Sequence, residues 1–330
     1  MRVLVTGATG FIGSSVVRVL IEAGCQVRAL VRAGADTRAI EGLPVEHCAG
    51  DVRDPESVRA AVHGCRHVYH VAALYTYWTR HPADIYATNV DGTRNVLAAA
   101  EAEGIERFVH TSSVATLGLH ADGTPADEET PATLADMVSD YKRSKFLAEE
   151  AAREFAARGL PVVIVNPSTP VGVRDIKPTP TGRIVLDFLN GRMPAYVDTS
   201  LNIVDVEDVA VGHWLAAQKG EVGRRYILGN RNMTMKEILE ALARITGRPA
   251  PRVRLPLWVA MAFARWDTAL AHISPSHIPR ATPDTVRLAH KAMVFDPSRA
   301  VRELGLPQSD PYKALRKAVD WFRESGLTGS

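Results

Sequence analysis

The chain has 330 residues, of which 46% are hydrophobic, and its 39 Lys and Arg nearly balance 37 Asp and Glu, for a net charge of +2. That length and apolar content can bury a real core in one large domain or two, and they exclude an acidic or intrinsically disordered chain. The basic residues are scattered rather than gathered into a stripe, so no nucleic-acid partner is expected.

Cys25, Cys48 and Cys65 are odd in number and lack a CxxC spacing, so neither a disulfide framework nor a thiolate metal site is expected, and a reducing, cytoplasmic setting fits. The apolar run Met1 to Val5 carries no signal-peptide pattern, and no stretch reaches the roughly 18 apolar residues of a membrane span.

In chain order, short β-branched runs predict strands over 2–6, 26–31, 45–48, 67–71, 107–111 and 161–165. Helical periodicity lies between them over 11–23, 55–62, 82–102 and 139–158. This alternation predicts an α/β fold, a Rossmann-type doubly wound parallel sheet. After Pro167 the pattern becomes proline-rich and mixed, which predicts a smaller, interleaved C-terminal substrate lobe. The expected division is a dinucleotide-binding domain over 1–170, to which 203–229 returns as a helix (203–217) and a strand (225–228), and a substrate lobe over 171–202 and 230–330.

The first strand runs into Thr6-Gly7-Ala8-Thr9-Gly10-Phe11-Ile12-Gly13 at the start of a helix. Three glycines in this order allow a tight turn, close approach of a pyrophosphate, and close helix–strand packing. Gly7, Thr9, Gly10, Phe11, Ile12 and Gly13 are therefore candidate cofactor residues, with the diphosphate at the helix N-terminus. The second strand ends Val27-Arg28-Ala29-Leu30-Val31-Arg32 with no carboxylate before Asp36. An arginine there suits a ribose 2′-phosphate, so NADP(H) is favoured, held by Arg32 with support from Arg28, and NAD(H) is the alternative. Asp51 and Val52 follow the third strand as candidates for the adenine, and Ala72 and Ala73 follow the fourth, where small side chains admit a ribose or nicotinamide.

Tyr141 and Lys145 lie four apart and share a helix face. A phenol ionises at about pH 10 and is a poor acid–base group unless something such as an adjacent ammonium lowers that value. Ser113 at the end of the fifth strand is the expected partner for the substrate oxygen, with Ser112 as the fallback, and Asn89 is either a helix N-cap or a brace of the site.

These residues together, with Asn89-Val90-Asp91-Gly92-Thr93 and Asn166-Pro167, resemble the extended short-chain dehydrogenase/reductase (NAD-dependent epimerase/dehydratase) family over nearly the whole chain. The resemblance implies that Tyr141 exchanges a proton with a hydroxyl or carbonyl, Lys145 tunes it, Ser113 orients the oxygen, and Pro167, Ser168 and Thr169 meet the nicotinamide. It also implies a homodimer formed through the two long helices of the first half. Within the family, the segments near Arg32 and Ser168 are similar to dihydroflavonol-reductase-like enzymes. The runs 75–93 and 201–230 are similar to the hopanoid-associated sugar epimerase group.

Two departures bear on the reaction. Val114-Ala115 stand after Ser113 where dehydratases of the family carry Asp-Glu, which disfavours dehydration. Ser200-Leu201-Asn202 lack the arginine that nucleotide-sugar enzymes place there, unless Arg174, Lys177 or Arg183 substitutes, and Asp205 stands where relatives often carry histidine. The expected function is NAD(P)(H)-dependent carbonyl reduction or alcohol oxidation on a small molecule. The alternatives are a sugar epimerase with tightly held NAD, or a cofactor-sensing regulator without turnover.

Among the remaining features, His67 and His70 lie three apart on a strand and point to opposite faces, so with His63 they make a poor zinc site. Tyr75, Tyr77 and Trp78 are candidates to wall the substrate pocket beside Asn89, Ser112 and Asn166. The segment 256–272 is apolar almost all round, which predicts a buried or lid helix, with peripheral membrane contact as the alternative.

Overall fold

The computed structural model describes residues 1–274, 277–279, 281–289 and 292–328. In chain order the first half forms β1 (Arg2–Thr6), α1 (Phe11–Glu22), β2 (Gln26–Val31), β3 (Val45–Ala49), α2 (Pro55–Val62), β4 (His67–His70), α3 (Pro82–Tyr86), α4 (Gly92–Glu103), β5 (Arg107–Thr111), α5 (Asp140–Ala157) and β6 (Val162–Pro167). The second half adds β7 (Thr169–Val171), α6 (Pro180–Leu189), β8 (Ala195–Tyr196), β9 (Ser200–Asp205), α7 (Val206–Lys219) and β10 (Arg225–Leu228). It closes with β11 (Arg231–Thr234), α8 (Met235–Thr246), β12 (Val253–Arg254), α9 (Leu257–Ile273), α10 (Pro283–Ala289) and α11 (Pro311–Glu324).

Seven strands make one parallel sheet in the order β10-β6-β5-β4-β1-β2-β3. Helices cover both faces, which is why β1 reads as an unbroken apolar run rather than an alternating one. Val3 and Val5 pack with Val16 and Val17 of α1 and Val209 of α7, while Leu4 packs on the other face with Val58, Val96 and Leu97. Each such side chain, fully withdrawn from water, stabilises the fold by about 1.5–3 kcal/mol. β1 pairs with both β2 and β4, so the direction of winding reverses there, and the crevice above their C-terminal ends is the ligand position of this architecture.

The helix starts follow local chemistry. Asp54 and Asp205 cap α2 and α7 by accepting the Glu56 and Glu207 N–H groups, and Ser139 caps α5 by accepting the N–H of Lys142. Proline stands in the first turn of α2, α6 and α11, where its missing N–H has no helical partner to lose.

Three segments depart from the periodicity. The single helix expected over 82–102 is α3 and α4 separated by a wide π-type turn, Ala87–Asp91, which carries Asn89 inward. The helix expected from Ile203 begins at Val206, because 203–205 belong to β9. That strand lies in a separate three-stranded sheet with β7 and β11 rather than in the main one. Local apolar periodicity cannot show which sheet a short strand joins. α9, expected to be buried or a lid, buries only one side and leaves Trp258 and Trp266 74% and 60% exposed. No helix among the described residues is long and apolar enough to cross a membrane.

Candidate active site

The glycine turn closes on itself, with the Gly10 N–H donating to the Gly7 carbonyl at 3.0 Å, and Gly7 takes a positive φ of 70°. A Cβ at Gly7 would lie 2.6 Å from the Ala72 nitrogen after β4, and one at Gly13 would lie 2.0 Å from the Gly7 carbonyl oxygen. Side chains are thus excluded by the turn itself and by the neighbouring strand end. Gly10 is the N-cap of α1 and offers no side chain to the first N–H groups, which leaves them available to an anion. A nicotinamide dinucleotide's pyrophosphate fits this cradle.

Around it, Arg32 is exposed at the end of β2, and among the described residues no carboxylate pairs with it. Asp36 is taken up by Arg38, whose Nη2 lies 2.7 Å away. Arg28 does not join Arg32. Its buried guanidinium donates to Glu46 at 2.8 Å and to the Ala61 and His63 carbonyls, so it ties β2 to β3 and the end of α2 instead of supporting a phosphate.

Asp51 accepts the Arg53 N–H and pairs with its guanidinium at 2.8 Å, which holds the carboxyl below its ordinary range. Val52 is buried against Gly92, where a Cβ would come within 2.7 Å of its Cγ2. Ala72 donates its N–H to Thr6 Oγ1, and Ala73 beside it is exposed. At the far end of the crevice, Pro167 ends β6, Thr169 starts β7, and Ser168 between them has a buried hydroxyl with no partner among the described residues. A buried hydroxyl without a partner is costly unless a ligand satisfies it, and a nicotinamide carboxamide can do so.

Asn89 is the brace rather than an N-cap. Its Oδ1 accepts the Leu74 N–H at 2.7 Å and its Nδ2 donates to Ser144 Oγ at 2.9 Å, fastening the loop after β4 to α5. His70 is held between Thr6 Oγ1 and Thr93 Oγ1 at 2.8 and 2.9 Å, and burial brings its imidazole down to about 3, so it is neutral.

Tyr141 sits in the first turn of α5, buried, with the rings of Tyr75 and Tyr77 at 4.7 and 5.5 Å. Ser113, whose Oγ accepts the Ala115 N–H at 3.1 Å, stands beside the phenol. Burial pushes the phenol above its ordinary value, Tyr77 adds to that, and the Ser113 hydroxyl works the other way. Lys145 was expected to be the lowering charge, but its Nζ donates to the Thr111 carbonyl at 2.7 Å, and burial brings its ammonium down to about 8 against the pull of Glu149. In this arrangement, therefore, Tyr141 carries its proton at neutral pH and is poised as a donor.

Ser112, the fallback, is spent on Glu149, to whose Oε2 its hydroxyl donates. Glu149 was not anticipated. It also accepts from Thr116 Oγ1 at 2.8 Å and Asn166 Nδ2 at 2.9 Å, and pairs with Arg153 at 3.0 Å and Arg225 at 3.2 Å. Asn166 donates further to the Ser113 carbonyl, so this carboxylate underpins the loop that presents Ser113. Burial would raise Glu149, but Ser112, Arg225 and Arg153 outweigh it and hold the group ionised. The available signal was the spacing of Tyr141, Lys145 and Glu149, four apart on one face of α5. His213 had none: buried on α7, it donates from Nδ1 to the Val209 carbonyl and accepts from Thr111 Oγ1, steadying the residue whose carbonyl holds Lys145.

A sequence profile of the NAD dependent epimerase/dehydratase family matches residues 3–229. The chain belongs to that family. It is therefore an enzyme that works with a nicotinamide dinucleotide, of the extended short-chain dehydrogenase type, whose members are reductases, epimerases and dehydratases. A Synechocystis protein named "Putative dihydroflavonol 4-reductase" is 47% identical over 98% of this chain and 94% of its own length. "Sterol demethylase protein B" of Methylococcus capsulatus is 37% identical over 99% of this chain and all of its own. Among solved structures, a nucleoside-diphosphate-sugar epimerase from Pseudomonas aeruginosa superposes with a TM-score of 0.81 at 27% identity, covering 100% of this chain and 99% of that one.

Two further family positions differ in use here. Asp205, besides capping α7, accepts from Lys317 Nζ at 2.8 Å, so it serves the packing of α11 on α7. Arg174, a candidate for a sugar diphosphate, takes a positive φ of 70° and is directed to Ser15 Oγ and Glu207.

Proposed function

We propose that this enzyme is an NADP(H)-dependent carbonyl reductase, or the reverse alcohol dehydrogenase, acting on a small molecule without negative charge. The observation that carries the reading is the cavity of about 240 Å³ on Tyr141. It mixes the apolar faces of Tyr77, Trp78 and Ile85 with the neutral polar side chains of four threonines, Thr76, Thr79, Thr268 and Thr282, and it has Asp140 and Asp284 at its lining and no Lys or Arg among the described residues that form it. Such a cavity repels a sugar diphosphate and accepts an aromatic or aliphatic ketone. Relatives named cinnamoyl-CoA reductase, one of them 31% identical over 73% of this chain, support a reductive direction.

Tyr141 gives its proton to the carbonyl oxygen, which Ser113 holds by a second hydrogen bond, and a protonated Lys145 is available to the ribose hydroxyls. The bound nicotinamide supplies the hydride. Tyr75 and Tyr77 exclude water from the phenol, and Gly7, Thr9, Gly10, Phe11, Ile12 and Gly13 would hold the pyrophosphate. The dinucleotide-binding part would comprise 1–170 with 203–229, and the remaining segments the substrate side. Two copies would pair through α4 and α5, which sedimentation equilibrium would report as twice the chain mass.

The reading is tested by denaturing the purified protein and identifying any released nucleotide. Free exchange of NADPH with nothing retained is expected, and tightly held NAD would instead establish the epimerase. Arg32→Ala should then weaken NADPH by about 10–100-fold, the loss of a charge-assisted pair, with NADH little changed.

A further inference from the structure

The outward face of α9 has no role in the chemistry above. At about 100° per residue, Ala260, Ala264, Asp267 and Ala271 fall on one stripe, and all four are buried. The opposite stripe carries Trp258, Ala262, Trp266, Ala269 and Ile273, with Ile273 81% exposed and the two indoles largely in solvent. A surface helix ordinarily turns small or apolar residues inward and charge outward. Here the most buried stripe is Ala and Asp, Leu257 and Met261 pack at its sides, and both tryptophans and Ile273 face out.

Positive charge collects in the chain segment that contains this helix, with Arg265 on the helix itself. Residues 248–291 contain seven Lys and Arg against two Asp, so the segment carries +5 while the rest of the chain carries −3. Neither aspartate offsets the exposed surface. Asp267 is buried and accepts from His277 and the Ala281 N–H, and Asp284 pairs with Arg287 at 3.0 Å. Arg248, Arg252 and Arg265 are exposed, and among the described residues no carboxylate pairs with them.

The same helix borders the active-site cavity. Thr268 and His272, on the flank between the buried and outward stripes, line it opposite Tyr141. Arg80 anchors the end of the helix there by donating to the Ala271 and Ser274 carbonyls at 2.6 and 2.8 Å.

We propose that α9 lays its outward face on a membrane surface carrying anionic lipid. Trp258 and Trp266 would sit at headgroup depth, and Arg248, Arg252 and Arg265 would meet lipid phosphates. Indoles favour that depth, an apolar helix face buries itself there, and each basic side chain near an anionic leaflet adds attraction. The cavity on the adjoining flank would then take a neutral carbonyl or alcohol dissolved in the bilayer. This second part rests on the reading of Tyr141 as a proton donor, whereas the docking does not.

The test is co-sedimentation with phosphatidylcholine vesicles, with and without phosphatidylglycerol, while tryptophan fluorescence is followed and NADPH is titrated in parallel. Wild-type protein is expected to bind the anionic vesicles at least about tenfold more tightly than the neutral ones, and to release in high salt. The double variant Trp258→Ser, Trp266→Ser should lose about tenfold or more in vesicle affinity, and Arg265→Glu should lose affinity for the anionic vesicles alone. Both should bind NADPH as the wild type does. No vesicle binding by wild type, equal binding by the double variant, or a self-association that the double variant abolishes without vesicle binding would overturn the proposal. A long-chain ketone in the vesicles should be reduced by wild type and not by the double variant, with a short soluble ketone reduced equally by both. Reduction of neither ketone by wild type would overturn the reductase reading, while the vesicle data still decide the docking.

Discussion

Tyr141→Phe is expected to lower kcat for carbonyl reduction by about 10²–10⁴-fold, the range of general acid catalysis, with NADPH affinity essentially unchanged. The substitution removes one oxygen from a buried ring that packs on Tyr75 and Tyr77, so the fold and the cofactor cradle stay in place. The pH dependence follows from the two buried groups. Burial raises the phenol, so Tyr141 stays protonated through the neutral range. Burial lowers the Lys145 ammonium to about 8, so its charge is present below that pH and lost above it. Reduction by the wild type should therefore be flat below about pH 8 and fall as pH rises through that value. In Lys145→Met the rate should be low at every pH, with no inflection there. Steady-state kinetics with a fixed ketone across pH measures both, and full turnover by Tyr141→Phe would refute the assigned role.

Glu149→Ala should be the most destabilising of these changes. The Glu149 side chain is 3% exposed and Arg225 16%, so the truncation leaves a largely buried guanidinium, the Asn166 amide and two hydroxyls without their common acceptor. Breaking a buried pair from one side costs about 3–5 kcal/mol, readable as a lowered denaturant midpoint. Glu149→Gln keeps the shape and one acceptor oxygen and should lose less stability. Either variant should lower kcat more than it raises KM, because Asn166 also holds the Ser113 carbonyl. The pH sign is fixed by the direction of the shift. A carboxyl held below its ordinary 4.5 contributes its stability above that pH and loses it as the pH falls through the lower folded value. Wild type and Glu149→Ala should thus converge in acid.

Much of the site was legible because its parts are local. Gly7, Gly10 and Gly13 announce a tight turn within eight residues, and Tyr141 and Lys145 share one face of α5 because four residues make about one helical turn. What stayed hidden depends on partners far along the chain. Arg28 looked like a phosphate ligand until β3 and α2 brought Glu46 and the Ala61 and His63 carbonyls around it. Asn89 offered two roles, and only the packing of α5 against the loop after β4 selected the brace. Besides Arg153 on its own helix, Glu149 draws partners from the turn after β5, from β6 and from β10, which no spacing along α5 can name.

By itself, then, the sequence determined the parallel α/β sheet and the glycine turn after β1, since each follows from periodicity or from contacts within one or two turns of chain. Only the tertiary structure decided which polar groups are spent on the fold and which remain for chemistry. A buried side chain's protonation and partners are set by whatever long-range packing puts beside it. The same holds for α9: its apolar composition is plain in the sequence, but only its neighbours in space leave Trp258 and Trp266 facing outward.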